Sequence, residues 1–167
     1  MVTIRKAKVN DAKAILEFCY QIGSETDNLS YGSEGIGLSV GDEESILTEV
    51  QNADTSFFLL AEVNNQIVGT CNCSGFRKKR LAHRAEIGIA VKKSNWNQGI
   101  DRKLMTQLIA LAKQSDLKIL FLEVRSDNKS AIHLYESLGF QKIGSFKGFM
   151  EVDGLLIDFD IMELVME

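Results

Sequence analysis

The sequence predicts a single α/β domain over residues 1–167, in which a mostly antiparallel mixed sheet is flanked by about four helices. Three observations predict it. The chain has 167 residues, 45% of them hydrophobic, enough for one sizeable core and too short for two ordinary ones. Apolar positions switch between strand and helix spacing in the order βααβββαβαββ. A nearly continuous apolar strand, Leu117 to Val124, follows a strand and a helix, so one parallel crossover sits in an otherwise antiparallel sheet.

Taken in order, Val2 and Ile4 alternate with polar residues as a short strand. Asn10-Asp11 caps a helix with the stripe Ala12, Ile15, Leu16, Cys19 and Ile22. Residues 23–41 are too rich in glycine for a regular element and read as a mobile loop, with no Lys where a nucleotide-phosphate loop needs one. Asp42 to Asn52 fits a second helix with Ile46, Leu47 and Val50 inward and acids in its first turn, which the helix dipole favours. Phe57–Val63 and Gln66–Gly75 form a hairpin through Asn64-Asn65, and Cys71 and Cys73 share one sheet face. His83–Lys92 is a strand, and a helix starting near Gly99 carries Ile100, Leu104, Leu108, Leu111 and Ala112 on one stripe. Asp127 or Asn128 caps a helix with Ala131, Leu134 and Leu138, and Gly139 ends it. Two strands, about 140–150 and 155–165, turn at Asp153-Gly154.

Composition excludes several function classes. No run approaches the roughly 18 apolar residues of a membrane helix, and the N-terminus lacks a signal-peptide core, so neither membrane nor export is expected. Cys19, Cys71 and Cys73 match no zinc or redox spacing, which makes a reducing cytoplasm the simplest compartment and no metal the expectation. The formal charge of −4 argues against nucleic acid. Its distribution is uneven: residues 14–76 hold ten acids and no Lys or Arg, whereas residues 77–147 hold fifteen bases against six acids. The middle stretch suits a polyanion. The run Arg77, Lys78, Lys79, Arg80 and Arg84 has only Phe76 beside it, without the interleaved aromatics that nucleic acid needs, and reads as a solvated connection.

Two stretches carry chemistry. From Glu86 to Met105, an apolar strand runs through Lys-Lys-Ser-Asn-Trp-Asn-Gln-Gly into a helix start, where unpaired amides and the helix dipole make an anion site suited to pyrophosphate. From Leu122 to Phe140, Asn128, Ala131, Tyr135, Gly139 and Phe140 stand at fixed intervals around a short helix. Together these stretches resemble the coenzyme-A-binding heart of the Gcn5-related N-acetyltransferase (GNAT) superfamily, and the element order extends the likeness from Ile4 to about residue 165.

The resemblance implies a sheet splayed at the cofactor and a cytoplasmic enzyme moving an acetyl group from acetyl-CoA to a primary amine by direct attack in a ternary complex. It gives the backbone of Ile89, Ala90 and Val91 to the pantetheine arm, which needs an open sheet edge. Amides from Gln98, Gly99, Ile100, Asp101, Arg102 and Lys103 hold pyrophosphate, with positive charge from Lys92, Lys93, Arg102 and Lys103. Asn128, with Ala131 in the same motif, orients the cofactor arm, and Tyr135 protonates the leaving thiolate. Attack needs a neutral amine, hence a general base. Glu86, at the start of the cofactor strand, is the first candidate; His83, an imidazole near neutral titration, is the alternative, and His133 receives no role. A homodimer is implied by the resemblance alone. No Gly-x-Ser-x-Gly elbow, Cys/His pair or metal cluster points to hydrolase chemistry.

Two residues depart from the superfamily pattern. Trp96 replaces the usual Arg or Gln, and Asp101 replaces Gly or Ala. A carboxylate about 5 Å from a phosphate repels it by roughly 3 kcal/mol at an effective dielectric near 20, before salt screening. This leaves two rivals to the enzyme of small amines: a ligand-binding or sensing module with a weakened CoA site, and an enzyme acting on a protein N-terminus or lysine. Glu25, Asp27 and Glu34, in the loop that usually borders the acceptor pocket of the superfamily, predict a cationic small-molecule or peptide amine as partner.

Overall fold

The computed structural model describes residues 1–166. Seven strands form one mixed sheet in the order β1-β2-β3-β4-β5-β7-β6: β1 (Thr3–Lys6), β2 (Phe57–Val63), β3 (Gln66–Gly75), β4 (Arg84–Val91), β5 (Ile119–Arg125), β6 (Gln141–Val152) and β7 (Leu155–Val165). Only β4 and β5 run parallel; the other neighbours are antiparallel. Helices α1 (Ala12–Gly23) and α2 (Val40–Gln51) lie on one face, and α3 (Ile100–Lys113) and α4 (Lys129–Ser137) on the other. The α/β class and the element order are those the sequence predicts.

Turn chemistry fixes the hairpins. Asn64 and Asn65 both take positive φ, as do Asp153 and Gly154, giving the left-handed pairs that match strand twist. The main core packs Leu104, Met105 and Leu108 of α3 against Leu59, Cys71, Leu120 and Leu122. The second packs Ile15, Cys19 and Ile22 of α1 with Leu47 of α2 against Leu60 and Ile67. All three cysteines are buried and unbonded to one another.

Four local expectations change. Asp11 does not cap α1 through its side chain; a 3-10 turn at Val9–Asp11 precedes the helix, and the Asp11 carboxylate accepts from Arg5 and from the Lys8 amide instead. Helix α2 begins at Val40, capped by Ser39, whose hydroxyl accepts from the Asp42 amide at 3.1 Å. Its inward side carries Glu43 and Leu47, with Val50 half-buried, while Ile46 at the edge of the same stripe is exposed. Strand β5 is not buried on both sides: Leu120, Leu122 and Val124 are buried, but Phe121, Glu123 and Arg125 are only half-buried, Phe121 stacked on Phe76 and the other two lining an opening.

The loop of residues 24–39 is seated by contacts at both ends of the sheet opening described below. At its start, Gly23 lies so close to the Gly32 carbonyl that an added methyl group would overlap it. Gly23→Ala should therefore destabilise the fold by roughly 2 kcal/mol, about 4–8 °C in Tm. By contrast Gly41→Ala, whose methyl meets nothing closer than Ser39 Oγ at 3.9 Å, should leave Tm unchanged or raise it. Equal melting temperatures for the two variants would contradict this seating.

Candidate functional site

The site begins where two parallel strands part. β4 and β5 pair at only three positions, Arg84↔Ile119, Ala85↔Leu120 and Glu86↔Phe121. Beyond these, β4 stays with β3 as far as Val91↔Gly69, and β5 stays with β7 as far as Arg125↔Phe159. The Lys92 amide donates to the Val68 carbonyl, which sets the alternation along β4. By that alternation Ile89 turns both its N–H and its C=O into the gap, and Val91 does the same. The Val91 carbonyl is taken by the Trp96 indole N–H at 2.7 Å. An open edge at Ile89 to Val91 is thus present in the chain's own pairing.

At the far end of β4 the chain passes a short 3-10 turn and enters α3. Asn97 (φ 58°) and Gly99 (φ 71°) are left-handed, and Gly99 precedes the first helical residue. The Lys103 amide already donates to the Gly99 carbonyl at 3.1 Å, so it drops out of the predicted set of anion-binding amides. The Asp101 carboxylate accepts from the Arg102 amide at 2.7 Å, so this amide too has a partner. Gly99, Ile100 and Asp101 remain, as the first turn of a helix leaves its early amides unpaired. Gln98 turns back to the Ser94 carbonyl, Ile100 is core, and the Arg102 guanidinium reaches Ser137 of α4. Lys93 lies over the Trp96 ring at 6.0 Å.

Two clefts flank the parted strands. The first, about 200 Å³, is lined by Ile89, Ala90, Val91, Trp96, Asp101, Asn128, Ala131 and Tyr135, among others. The second, about 540 Å³, opens on the α1–α2 face. Ile89, Ala90, Asn128 and Tyr135 line both. Asn128 caps α4, its side-chain oxygen accepting from the Ala131 amide at 3.2 Å, which leaves its NH₂ group facing the clefts. Tyr135 is buried from the α4 side, and burial pushes its hydroxyl well above the ordinary tyrosine range, with Cys71 and Asp101 adding to the shift. The hydroxyl therefore stays protonated.

Three carboxylates line the second cleft: Glu43, Glu86 and Glu123. Glu86 is exposed. Glu123, half-buried on β5, is raised by burial first and by the charge of Glu86 second. Sequence reasoning passed over Glu123 because one acid in an apolar strand carries no signal about which face it takes. It lies two residues past the last β4–β5 pair, a placement that only the parting of the strands reveals.

The acids expected to border the acceptor lie elsewhere. Glu25 accepts from the Lys93 amide at 2.7 Å, just past the end of β4. Asp27 offers its backbone carbonyl to Arg125, at the end of β5, and Glu34 folds back on the Gly32 amide. None of the three is among the residues lining either cleft. Instead, Glu25 and Asp27 tie one loop to both parted strands. Neither His83 nor His133 lines a cleft; the His83 carbonyl accepts from the Lys118 and Ile119 amides, and His133 is exposed. Among the described residues no group of three or more His, Cys, Asp or Glu is placed to hold a metal ion, and no helix is long and apolar enough to cross a membrane.

Comparison with known proteins places this geometry in context. Over its full length the chain is 30% identical to an acetyltransferase of the GNAT family from Streptococcus pneumoniae, covers all of that structure and superposes with a TM-score of 0.96. It shares the fold of yncA from Salmonella typhimurium, solved with its cofactor acetyl-CoA, with a TM-score of 0.87 and 21% identity over 100% of this chain and 95% of that one. It is 22% identical to the uncharacterized N-acetyltransferase p20 of Bacillus licheniformis over 98% of this chain and 92% of that protein. The model of the acetyltransferase (GNAT) family matches residues 20–140. With that match over most of its length and the parted strands at its centre, the chain belongs to the GNAT acetyltransferase family.

Proposed function

We propose that this protein moves an acetyl group from acetyl-CoA to a cationic primary amine, by direct attack with both substrates bound. The observation that carries this reading is the meeting of two clefts at Ile89, Ala90, Asn128 and Tyr135. Asn28 and Leu29 of the α1–α2 loop also line both clefts, so a donor in one and an acceptor in the other would meet at this shared wall, which suits transfer without a covalent enzyme intermediate.

The donor side fits coenzyme A on three counts. Ile89 offers an unpaired N–H and C=O in strand geometry, as an added amide-bearing arm requires. The Asn128 NH₂ faces the same cleft, and the first turn of α3 leaves the Gly99, Ile100 and Asp101 amides for a phosphate. Lys92, Lys93, Arg102 and Lys103 stand around that turn. The bound cofactor supplies a thioester whose carbonyl carbon is open to a nucleophile. Asp101 is the misfit, since its carboxylate lines the cleft and satisfies one of the amides.

On the acceptor side Glu123 is the better-supported base. Its raised affinity for protons suits accepting one from an ammonium-derived amine, and Glu86 beside it both raises that affinity and adds negative charge. Glu123 takes the proton from the amine nitrogen as the new C–N bond forms. The Tyr135 hydroxyl gives its proton to the sulfur as the C–S bond breaks. Ala90 and Ile89 wall the junction and restrict water there. The three free, buried cysteines suit a reducing cytoplasm.

A second reading, a ligand-sensing domain with a weakened CoA site, is favoured by Asp101 alone. Calorimetric titration of acetyl-CoA into wild type and Asp101→Gly tests it. The variant is expected to bind about tenfold or more tightly, about 1.4 kcal/mol or more; unchanged or weaker binding would show that this carboxylate does not oppose the cofactor. Free-thiol release against a library of amines, including peptide N-termini and lysine peptides, then decides between enzyme and sensor.

For the proton transfers, Tyr135→Phe should lower kcat by roughly 100-fold with acetyl-CoA affinity nearly intact, because the ring remains and only the donor goes. Glu123→Gln should lower kcat/KM for the amine by a similar factor near pH 7. That deficit should shrink as pH rises and the free amine becomes neutral on its own. A larger loss in Glu86→Gln than in Glu123→Gln would return the base to Glu86, and full rate in Tyr135→Phe would remove the hydroxyl from the reaction.

A further inference from the structure

Glu43 is 2% exposed, on the inward side of α2 where helical spacing with Leu47 and Val50 calls for an apolar residue. Among the described residues, no hydrogen bond or ion pair reaches its carboxylate. Yet among the described residues no buried side-chain oxygen or nitrogen is both sealed from solvent and unbonded. The Glu43 oxygens are therefore reached from the second cleft, which this residue lines. An unpaired carboxylate in such a place costs several kcal/mol unless a cation or hydrogen-bond donors meet it. Burial accordingly holds Glu43 above the ordinary glutamate range. Its position in the first turn of α2 lets the helix dipole offset part of that cost, but not a whole charge.

Ile15, Ile36, Ile46, Val50 and Phe58 line the same cleft, with Cys19 and Tyr31 as the polar groups on the Glu43 side. At the other end stand Glu86, Glu123 and Tyr135. Arg125 is the one cation among the cleft-lining residues, and its guanidinium is already held by the Asp127 carboxylate and the Asp27 carbonyl. An acceptor bearing a carboxylate finds no free cation among the residues lining this cleft, only neutral donors such as Tyr31, Thr70 and Asn72. One with a second ammonium, separated from the reacting amine by a hydrocarbon chain, finds a partner at each end and an apolar wall between.

We propose that the second cleft takes an unbranched aliphatic diamine or polyamine, with Glu43 binding the ammonium remote from the reacting nitrogen. This rests on the amine-acetylating reading above and narrows it. The chain length that suits the distance from Glu43 to the Tyr135 junction is set by the cleft, and a homologous series measures it.

The test is kcat/KM, followed by thiol release from acetyl-CoA, for putrescine, cadaverine and their longer homologues against n-alkylamines of equal length, in wild type and Glu43→Gln. Calorimetric titration of the same diamines without acetyl-CoA runs beside it. In wild type the best diamine should exceed its monoamine by about tenfold or more, and in Glu43→Gln that ratio should fall to within about threefold. Equal rates for diamine and monoamine in wild type, or a diamine preference that survives in a folded Glu43→Gln, would overturn the proposal. The wild-type comparison needs no variant and stands even if Glu43→Gln fails to fold. Should no amine release thiol, the transferase reading fails by itself. Diamine binding in wild type, lost in Glu43→Gln, would then still support Glu43 as an ammonium site, and absence of binding in wild type would refute it.

Discussion

The structure turns on two parallel strands that share only three residue pairs before each follows a different neighbour. β4 remains bound to β3 and β5 to β7, so the parting costs no strand its partner on the outer side. Its local cost is a few unpaired backbone groups at Ile89 and Val91, which is unusual in the middle of a sheet, where buried N–H and C=O groups are nearly always satisfied. One of those groups, the Val91 carbonyl, is met by the Trp96 indole. The others face a cleft, and that is why the centre of this sheet can accept an extended partner as only an outer strand normally does.

The parting also needs a brace, and the loop between α1 and α2 supplies it. Glu25 holds the amide just beyond β4, and Asp27 receives Arg125 from the end of β5. The two strand ends are thereby joined through the loop and not through each other. The same loop carries Asn28 and Leu29, which line both clefts, so the brace also shapes the junction at Tyr135. Charge is divided in the same way. Bases gather around the start of α3, while Glu43, Glu86 and Glu123 face the opposite cleft, so an anionic donor and a cationic acceptor would approach from separate sides.

Most of the fold was legible in the sequence because its signals are local. Asn64-Asn65 and Asp153-Gly154 fix their hairpins by left-handed turns, Asn128 caps α4, and Gly99 stands at the start of α3. Asn128 and Tyr135 could be singled out because the spacing of the motif around them survives as local geometry. What failed to show depends on long-range placement. Glu25, Asp27 and Glu34 were grouped by their nearness along the chain, but the Lys93 and Gly32 amides hold the Glu25 and Glu34 carboxylates, Arg125 holds Asp27 through its backbone carbonyl, and none of the three lines a cleft. Glu43 looked like an ordinary first-turn acid, and Ile46 like a core residue; α2 packs with Glu43 and Leu47 inward and leaves Ile46 on the exposed edge of the stripe, at the second cleft. Glu123 was hidden by the apolar run around it, since only the parting of β4 exposes that side of β5.

The central claim is that the open edge of β4 receives the donor as an added strand. Residue-resolved amide hydrogen exchange, with and without acetyl-CoA, tests this most directly. In the free protein the Ile89 and Val91 amides should exchange much faster than those of Ala85 and Gly88, which are paired to β5 and β3. On adding acetyl-CoA, Ile89 above all should gain protection, together with the first-turn amides of α3, while the rest of β4 changes little. Binding that leaves Ile89 unprotected, or an Ile89 amide already as slow as its neighbours in the free protein, would contradict the account.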